Sequence, residues 1–469
     1  MGNDKVIIIG AGLAGSLLST YLAKRGIETD VYEARADMRS EQISAGRSIN
    51  LALSNRGIRA LKEVGLADFM LEEAVPMYGR MIHAESGEQK LLPYSGREGE
   101  FINSISRGGL NIALINEADK FERSRFHFNK KCIDFNCETG GALIKDTISG
   151  EEFLAKGDTV IATDGAGSAV RRAFLMNHGI ERFNFSQAWL KHGYKELSIA
   201  PRSEFTGDPS SIEHTGESEF LIEKNALHIW ARHQFMMIAL PNFDGSFTVT
   251  LFLSFAGENS FEAIANGEYG DGTKDSVTSF FEANFPDALA LMPELAKEFA
   301  ENPTGNLGTI KCYPWHLDGK ALLLGDAAHA VVPFYGQGMN ASFEDCRILN
   351  ELIDRHETNW QQVFSAFSNA RKINADAIAD MAVENFYEMR DAVTDPVFQR
   401  KRALEMRLEQ EFPGYFSKYS LVTFREDIPY SEAMRRGNAQ DALLMKLCEN
   451  EDKFNRLNLN EVFDKTHFI

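Results

Sequence analysis

The chain opens on an apolar run, Val6 to Ile9, with Gly10 directly behind it. A short, β-branched run of this kind reads as a strand buried on both faces. LAGSLLSTYLAKRG follows with apolar positions at helical spacing, and ETDVYEA reads as a second strand ending near Glu33. Strand, glycine turn, helix and strand within about 30 residues make a βαβ unit. A loop is expected from Ala34 to Gly46, then a strand in RSINLALS. SNRGIRALKEVGLADFMLEEAV reads as one amphipathic helix, with Ile58, Leu61, Val64 and Leu66 on one face. Short strands are expected from Met77 to Ser104, a helix in SRGGLNIALINEADK, and paired strands over 141–163. The strand-rich middle contains a hairpin whose turn falls at Asn242–Gly245. Residues 275–300 read as helical, KALLLGDAAHA as a buried strand running into a loop, and Trp360 to Asp391 as one long helix.

Composition narrows the classes. With 469 residues, 44% hydrophobic and 25% charged, the chain is long enough for more than one packed core and ordinary for a globular protein. A net charge of −19 repels a phosphate backbone and argues against nucleic acid as a partner. Five scattered cysteines, an odd number, suggest reduced thiols and a cytoplasmic location, and none has metal-ligand spacing. No apolar stretch is long enough for a membrane helix, and the start shows neither a leader nor the Ser or Thr of a myristoylation signal.

Three glycine-containing motifs carry candidate chemistry. Gly10, Gly12 and Gly15, with Ala14 between the last two, form GxGxxG directly after a strand and at the start of a helix. Such a turn lets backbone approach a pyrophosphate, and the helix start offers free N–H groups to it. Glu33 ends the next strand, where a carboxylate can accept ribose hydroxyls. This pattern alone does not separate NAD from FAD. In LGDAAHA, Asp326 is placed to bond a ribityl hydroxyl; Gly336 and Gly338 then allow backbone to approach a flat ring, and a helix begins just after Asn340. The third motif is Asp164-Gly165, followed by Ser168 as a helix cap.

Carrying GxGxxG, DG and GD motifs in this order, the chain resembles the class A flavoprotein monooxygenases. GRSINLALSNRGIRAL, GRMIH, SISRGGLN, FMMIALPN, LLGDAAHAVVPFYGQGMNASFEDC, ENFYEMRD and YSLVTF are similar, more narrowly, to the kynurenine 3-monooxygenase family, from residue 5 to about residue 430. The resemblance implies an α/β fold: a Rossmann-like FAD-binding domain over 1–76, 99–180 and 301–358, interrupted by an antiparallel-sheet substrate domain over 77–98 and 181–300, with a helical C-terminal region over 359–469. It implies tightly bound FAD, transiently bound NADPH, O2, and L-kynurenine as substrate. The product would be 3-hydroxykynurenine, formed through a C4a-hydroperoxyflavin in tryptophan catabolism or quinolinate supply for NAD. No catalytic side chain is implied, because the flavin carries the chemistry. His329 in GDAAHA reads as a packing position.

Carried over residue by residue, the cofactor set is Gly10, Gly12, Ala14, Gly15, Glu33, Ala34, Arg35, Ala52, Arg107, Asp164, Asp326, Met339 and Asn340. The substrate set is Arg80 for the carboxylate, Tyr94 beside it, Asn385 on the long helix and Tyr419, with Phe235 and Phe334 as ring walls. Glu388 and Met389 share a helix face with Asn385, although a glutamate there also suits a solvated surface. Members of this family with a membrane anchor carry it at the C-terminus, where this tail is polar, which points to a cytoplasmic, bacterial form.

Three other readings differ at specific places. A hydroxylase of another aromatic acid would share the three motifs but not GRMIH with ENFYEMRD and YSLVTF. A disulfide reductase would use a pair such as Cys132 and Cys137, but close behind the first motif and on a helix rather than in an expected strand. A non-enzymatic Rossmann-type carrier would hold no flavin.

Overall fold

The computed structural model describes residues 4–40, 50–176, 182–208, 218–270 and 272–467. Lys5–Ile9 lies at the heart of a six-stranded sheet, paired in parallel with Glu28–Tyr32 on one side and Thr159–Ala162 on the other. Ser124–His127 and Ala321–Leu323 extend the parallel sheet outward, and His316–Leu317 adds an antiparallel edge. Val6 to Ile9 are all buried, as a central parallel strand requires. The helix Leu13–Lys24 buries a continuous stretch from Gly15 to Ala23 and packs against Arg107–Ala118 and Gly338–His356.

A second, seven-stranded sheet runs in the order Thr304–Tyr313, Asn184–Ile199, Phe247–Ser254, Phe235–Pro241, Ala226–Arg232, Gly79–His83, Gln89–Pro93. It is antiparallel except where Gly79–His83 meets Ala226–Arg232 in parallel. Those two strands are separated by a long excursion through the first sheet, so no hairpin forces them to oppose. The expected hairpin is present: Pro241 faces Phe247 in the register, and Gly245 turns with φ +95°. Both faces of this sheet are covered. Met236 and Phe252 pack toward the long helix with Phe386 and Met389, whereas Phe235 and Met237 pack on the opposite face with Phe280, Phe281 and Phe285.

Two expectations are corrected, and a third lies partly outside the described residues. The amphipathic segment after Ser54 is two helices, Asn55–Val64 and Ala67–Glu72, because Gly65 takes a left-handed φ of +85° and caps the first. Ala60, Leu61, Val64, Ala67 and Met70 are all buried, so the apolar pattern continues across the break. Residues 275–300 hold three short helices, interrupted where Pro286 starts a new one. Of the strand expected in RSINLALS, Asn50–Leu53 is present; 41–49, with the end of the preceding loop, lie outside the described residues.

Trp360–Asp391 is a single helix. Beyond it, Pro396–Glu411, Lys418–Thr423 and Tyr430–Cys448 fold back on it and on one another, and Leu459–His467 closes the described chain. No helix among the described residues is long and apolar enough to cross a membrane.

Candidate active site

A cavity of about 1000 Å³ lies between the two large sheets. Its wall includes Gly10, Gly12 and Ala14 at one end and Arg80, Tyr94 and Tyr419 at the other.

At the first end the wall is mostly main chain. Gly10 has φ +96° and donates its N–H to the Tyr32 carbonyl at 2.8 Å. A Cβ at Gly10 would come within 2.7 Å of the Thr163 carbonyl oxygen, and one at Gly15 within 2.0 Å of the Gly10 carbonyl oxygen. Gly15 is therefore not a cavity wall; it seats the helix against the strand. Gly12 is the opposite case, since a Cβ there would meet nothing within 4 Å. It opens the turn toward the cavity, and as helix N-cap it leaves the first N–H groups without a side-chain acceptor.

Glu33 lies behind this turn. Its Oε2 accepts the Ala11 N–H at 2.8 Å, and its Oε1 accepts Arg35 Nε at 2.8 Å. Burial disfavours its charge, but Arg35 and the two backbone N–H groups outweigh that and hold the carboxyl below its usual range. Ala34, Arg35, Ala52 and Arg107 line the same wall. Asp164 lines it too, and its Oδ1 is buried without a hydrogen-bond partner. Asp326 faces the cavity; burial pushes its pKa up, with His329 and Arg107 opposing.

The Asp326 loop is held from below. Asp345 accepts the Gly325 N–H at 3.3 Å, His329 Nε2 at 2.6 Å and Arg371 Nε at 2.6 Å. Arg371 also reaches Glu344 at 2.5 Å. His329 is a member of this clamp, as its sequence context suggests. Met339 lines the cavity, but the Asn340 side chain does not. Asn340 is fully buried, donating to Ala52 O and Gly336 O at 2.8 Å and accepting the Ser54 N–H at 3.0 Å. It fixes two walls relative to each other.

A flavin dinucleotide fits this end. The open Gly12 turn and the bare helix start suit a pyrophosphate, and Glu33 suits a ribose. The unpartnered Asp164 oxygen and the Asp326 carboxylate are acceptors awaiting donors. Gly336 approaches Ala52 so closely that a Cβ would stand 2.9 Å away, and both line the cavity beside them.

At the other end the wall is side chain. Arg80, 8% exposed, projects from Gly79–His83. Its Nη1 donates to Glu388 at 3.1 Å and its Nη2 to Asn385 Oδ1 at 3.5 Å. The guanidinium carbon stands 5.1 Å from the Tyr419 ring and 5.9 Å from Tyr94, and the two rings stack at 5.0 Å. Burial disfavours the charges on Arg80 and Glu388, but each holds the other ionised. The Tyr94 hydroxyl is buried and makes no hydrogen bond of good geometry. Burial, then neighbouring Tyr419, pushes its pKa far up, so it stands as a neutral donor. Asn385 Nδ2 donates to the Phe334 carbonyl at 2.6 Å, and Phe334 packs on Phe386 and Phe252 at the cavity wall.

The structure thus brings Arg80, Tyr94, Asn385, Tyr419 and Phe334 together and leaves Phe235 out. Phe235 is one residue off the register that faces the cavity and packs instead on Phe280 and Phe285. Tyr335 was not singled out from the sequence, yet it lines the cavity beside Phe334 and stacks on Tyr419 at 5.6 Å. Glu388 is the partner of Arg80, not a solvated surface group; its helical spacing from Asn385 was the available signal. Cys132 and Cys137 form no disulfide with each other, and burial pushes the Cys132 thiol up to about 12, the reverse of a reactive redox thiol.

The profile of the FAD binding domain family matches residues 3–199 and 292–380. A curated relative from Myxococcus xanthus, a kynurenine 3-monooxygenase, is 46% identical over 95% of this chain and 91% of its own length. Proteins of the same name from Flavobacterium johnsoniae and Dictyostelium discoideum are 41% and 42% identical over 98% and 97% of the chain, covering 97% and 95% of their own lengths. Among solved structures, 2-methyl-3-hydroxypyridine-5-carboxylic acid oxygenase superposes with a TM-score of 0.64 over 89% of this chain and 99% of its own, at 18% identity. The p-nitrophenol 4-monooxygenase of Pseudomonas putida superposes with a TM-score of 0.62 over 96% of this chain and 99% of its own, at 16% identity.

Proposed function

The chain belongs to the kynurenine 3-monooxygenase family of FAD-dependent hydroxylases, and from that premise we propose that it converts L-kynurenine to 3-hydroxykynurenine with NADPH and O2. One observation carries the assignment of ends within the cavity: a buried guanidinium, Arg80, closes the side-chain end of the same cavity that the glycine turn opens.

FAD held by the Gly12 turn, Glu33, Asp164 and Asp326 would supply the hydride acceptor for NADPH and the activation of O2. The chain's own residues bind and aim the substrate. Arg80 offers two N–H groups to the amino-acid carboxylate, with the neutral Tyr94 hydroxyl as a further donor. Glu388, already opposite Arg80, is the anion for the substrate's ammonium group. Phe334, held by the Asn385 bond to its own carbonyl, and Tyr335 flank the arylamine ring. Fixing both ends of the amino acid leaves the ring one orientation, and the apolar wall keeps water from the reacting atoms. Five scattered cysteines with no disulfide among them support a cytoplasmic site of action.

The test is flavin-loaded protein given NADPH and L-kynurenine under 18O2. The expected product is 3-hydroxykynurenine carrying one labelled oxygen. NADPH consumption with no hydroxylated product, or hydroxylation only of a different aromatic acid, would reject the reading.

A further inference from the structure

Three of the four tryptophans, Trp230, Trp315 and Trp360, are buried. The fourth, Trp189, is 59% exposed and stands in the wall of the large cavity. Leaving an indole in water forfeits a large burial gain, so its position needs a reason. It is not a loose surface ring. Three atoms of its six-membered ring lie 2.7–3.3 Å from where a Cβ on Gly308 would be, so glycine at 308 lets the indole lie against the neighbouring strand. Trp189 and Gly308 face each other in the strand register. Directly after them the pairing slips, and Leu190 to His192 stand opposite Leu307 alone. A bulge of this kind re-aims side chains and recurs beside active sites. One side of the indole is thus supported and the rest faces the rim.

The cavity end that suits a dinucleotide is built once. Among the described residues there is one parallel sheet with one glycine turn of this type, and FAD fills that role. The second dinucleotide, the reductant, must bring its nicotinamide to the cavity from bulk water and leave again. What the rim offers it is Trp189. An electron-rich indole stacks on a planar heteroaromatic ring, and better still on the positively charged oxidised nicotinamide. The flavin ring has the same flat chemistry, but its place is beside the contact between Ala52 and Gly336, two half-buried residues of the cavity wall. An exposed ring at the rim suits the visiting ring.

We propose that Trp189 is the stacking platform on which the nicotinamide of the reductant docks at the mouth of the flavin cavity. This rests on the hydroxylase reading above and adds a binding residue to it.

The test uses flavin-loaded protein and two probes: NADP+, whose oxidised nicotinamide is planar and cationic and has no hydride to give, and 2′-phospho-ADP-ribose, which lacks that half. Binding is read by calorimetry, and indole quenching is read in parallel as the difference between wild type and Trp189→Ala. In Trp189→Ala the affinity for NADP+ should fall about tenfold, the effect of losing one ring stack. Affinity for 2′-phospho-ADP-ribose and flavin content should not change, and Trp189→Phe should recover most of the loss. Equal NADP+ affinity in wild type and Trp189→Ala overturns the proposal. So does a loss confined to flavin content or its visible spectrum, which would assign the indole to the isoalloxazine. Labelled hydroxylation of kynurenine reports separately on the underlying reading.

Discussion

At the Gly10 end the cavity is walled by main chain, and at the Arg80 end by side chains. The centre of the first wall is a turn, a helix start and a strand end drawn from one stretch of sequence, Ile9 to Arg35, with Ala52, Arg107, Asp164 and Asp326 added from elsewhere. The second is assembled from side chains of separate segments: Arg80 from one strand of a pair, Tyr94 directly after the other, and Tyr419 from Lys418–Thr423, with Asn385 of the long helix backing Arg80. The contrast follows from what each end is proposed to bind. A pyrophosphate needs close backbone and a helix dipole, which only contiguous geometry supplies. An amino-acid head group needs a full charge with neutral donors, and these can come from any element that reaches.

If the main-chain end works through close approach, methyl groups there should act by position alone. Gly15→Ala places a Cβ 2.0 Å from the Gly10 carbonyl oxygen and 2.5 Å from Thr163 Oγ1, so the helix and strand must part. The expected outcome is failure to fold or protein without flavin, read from the 450 nm absorbance and the melting curve. Gly12→Ala has free space around it and should fold normally. Its methyl stands where the pyrophosphate approaches, so flavin affinity should fall at least about tenfold, roughly 1.4 kcal/mol. Equal flavin retention in both variants would break the comparison.

The main-chain end also depends on one buried charge cluster. Arg371→Met leaves Glu344 and Asp345 buried without their shared partner and should destabilise the fold by about 3–5 kcal/mol in chemical denaturation. Both carboxyls lie below their usual range; burial opposes their charge, but Arg371, with Arg56 at Glu344 and His329 at Asp345, outweighs it. Their stabilisation is therefore present above the unfolded carboxyl range, about pH 4, and is lost as pH falls through the lower folded values. Acid unfolding of the wild type should steepen below about pH 4, and the variant should lack that steepening.

Apart from Arg80 itself, effects at the side-chain end should be smaller and depend on the ligand. Glu388 is a third exposed, so screening limits what its charge contributes. Glu388→Gln should raise the KM for kynurenine about two- to fivefold, near 0.5–1 kcal/mol, while a desamino analogue should bind more tightly. A shift of the same sign for both ligands would remove Glu388 as the ammonium partner. The smallest effect on substrate binding is expected for Phe235→Leu, which should leave the kynurenine KM unchanged while lowering stability by about 1 kcal/mol, because its ring faces the other core.

The same contrast explains what could be read in advance. The glycine turn, Glu33 and the GD loop were legible because contiguous geometry leaves a contiguous motif. Arg80, Tyr94, Asn385 and Tyr419 leave no spacing of their own, and only family resemblance pointed to them. Phe235 and Met236 show the limit of strand patterning. Both are apolar and the sheet is covered on both faces, so alternation cannot say which one faces the cavity. Asn340 illustrates a different limit. Its motif was right, but the sequence could not show that its amide would be saturated by Ala52, Gly336 and Ser54. Gly65 carried a readable cap signal that the unbroken apolar periodicity masked.

The claim that one cavity joins a flavin to the carboxylate end of an amino acid is tested most directly by titrating flavin-loaded protein with L-kynurenine and following the flavin spectrum, in wild type and in Arg80→Ala. The account predicts a saturable spectral change in the wild type. In Arg80→Ala the flavin content should be equal and the dissociation constant raised at least about 30-fold, as losing a buried charge-assisted pair of roughly 2–5 kcal/mol requires. An unchanged dissociation constant in Arg80→Ala, or saturable binding that leaves the flavin spectrum untouched, would contradict it.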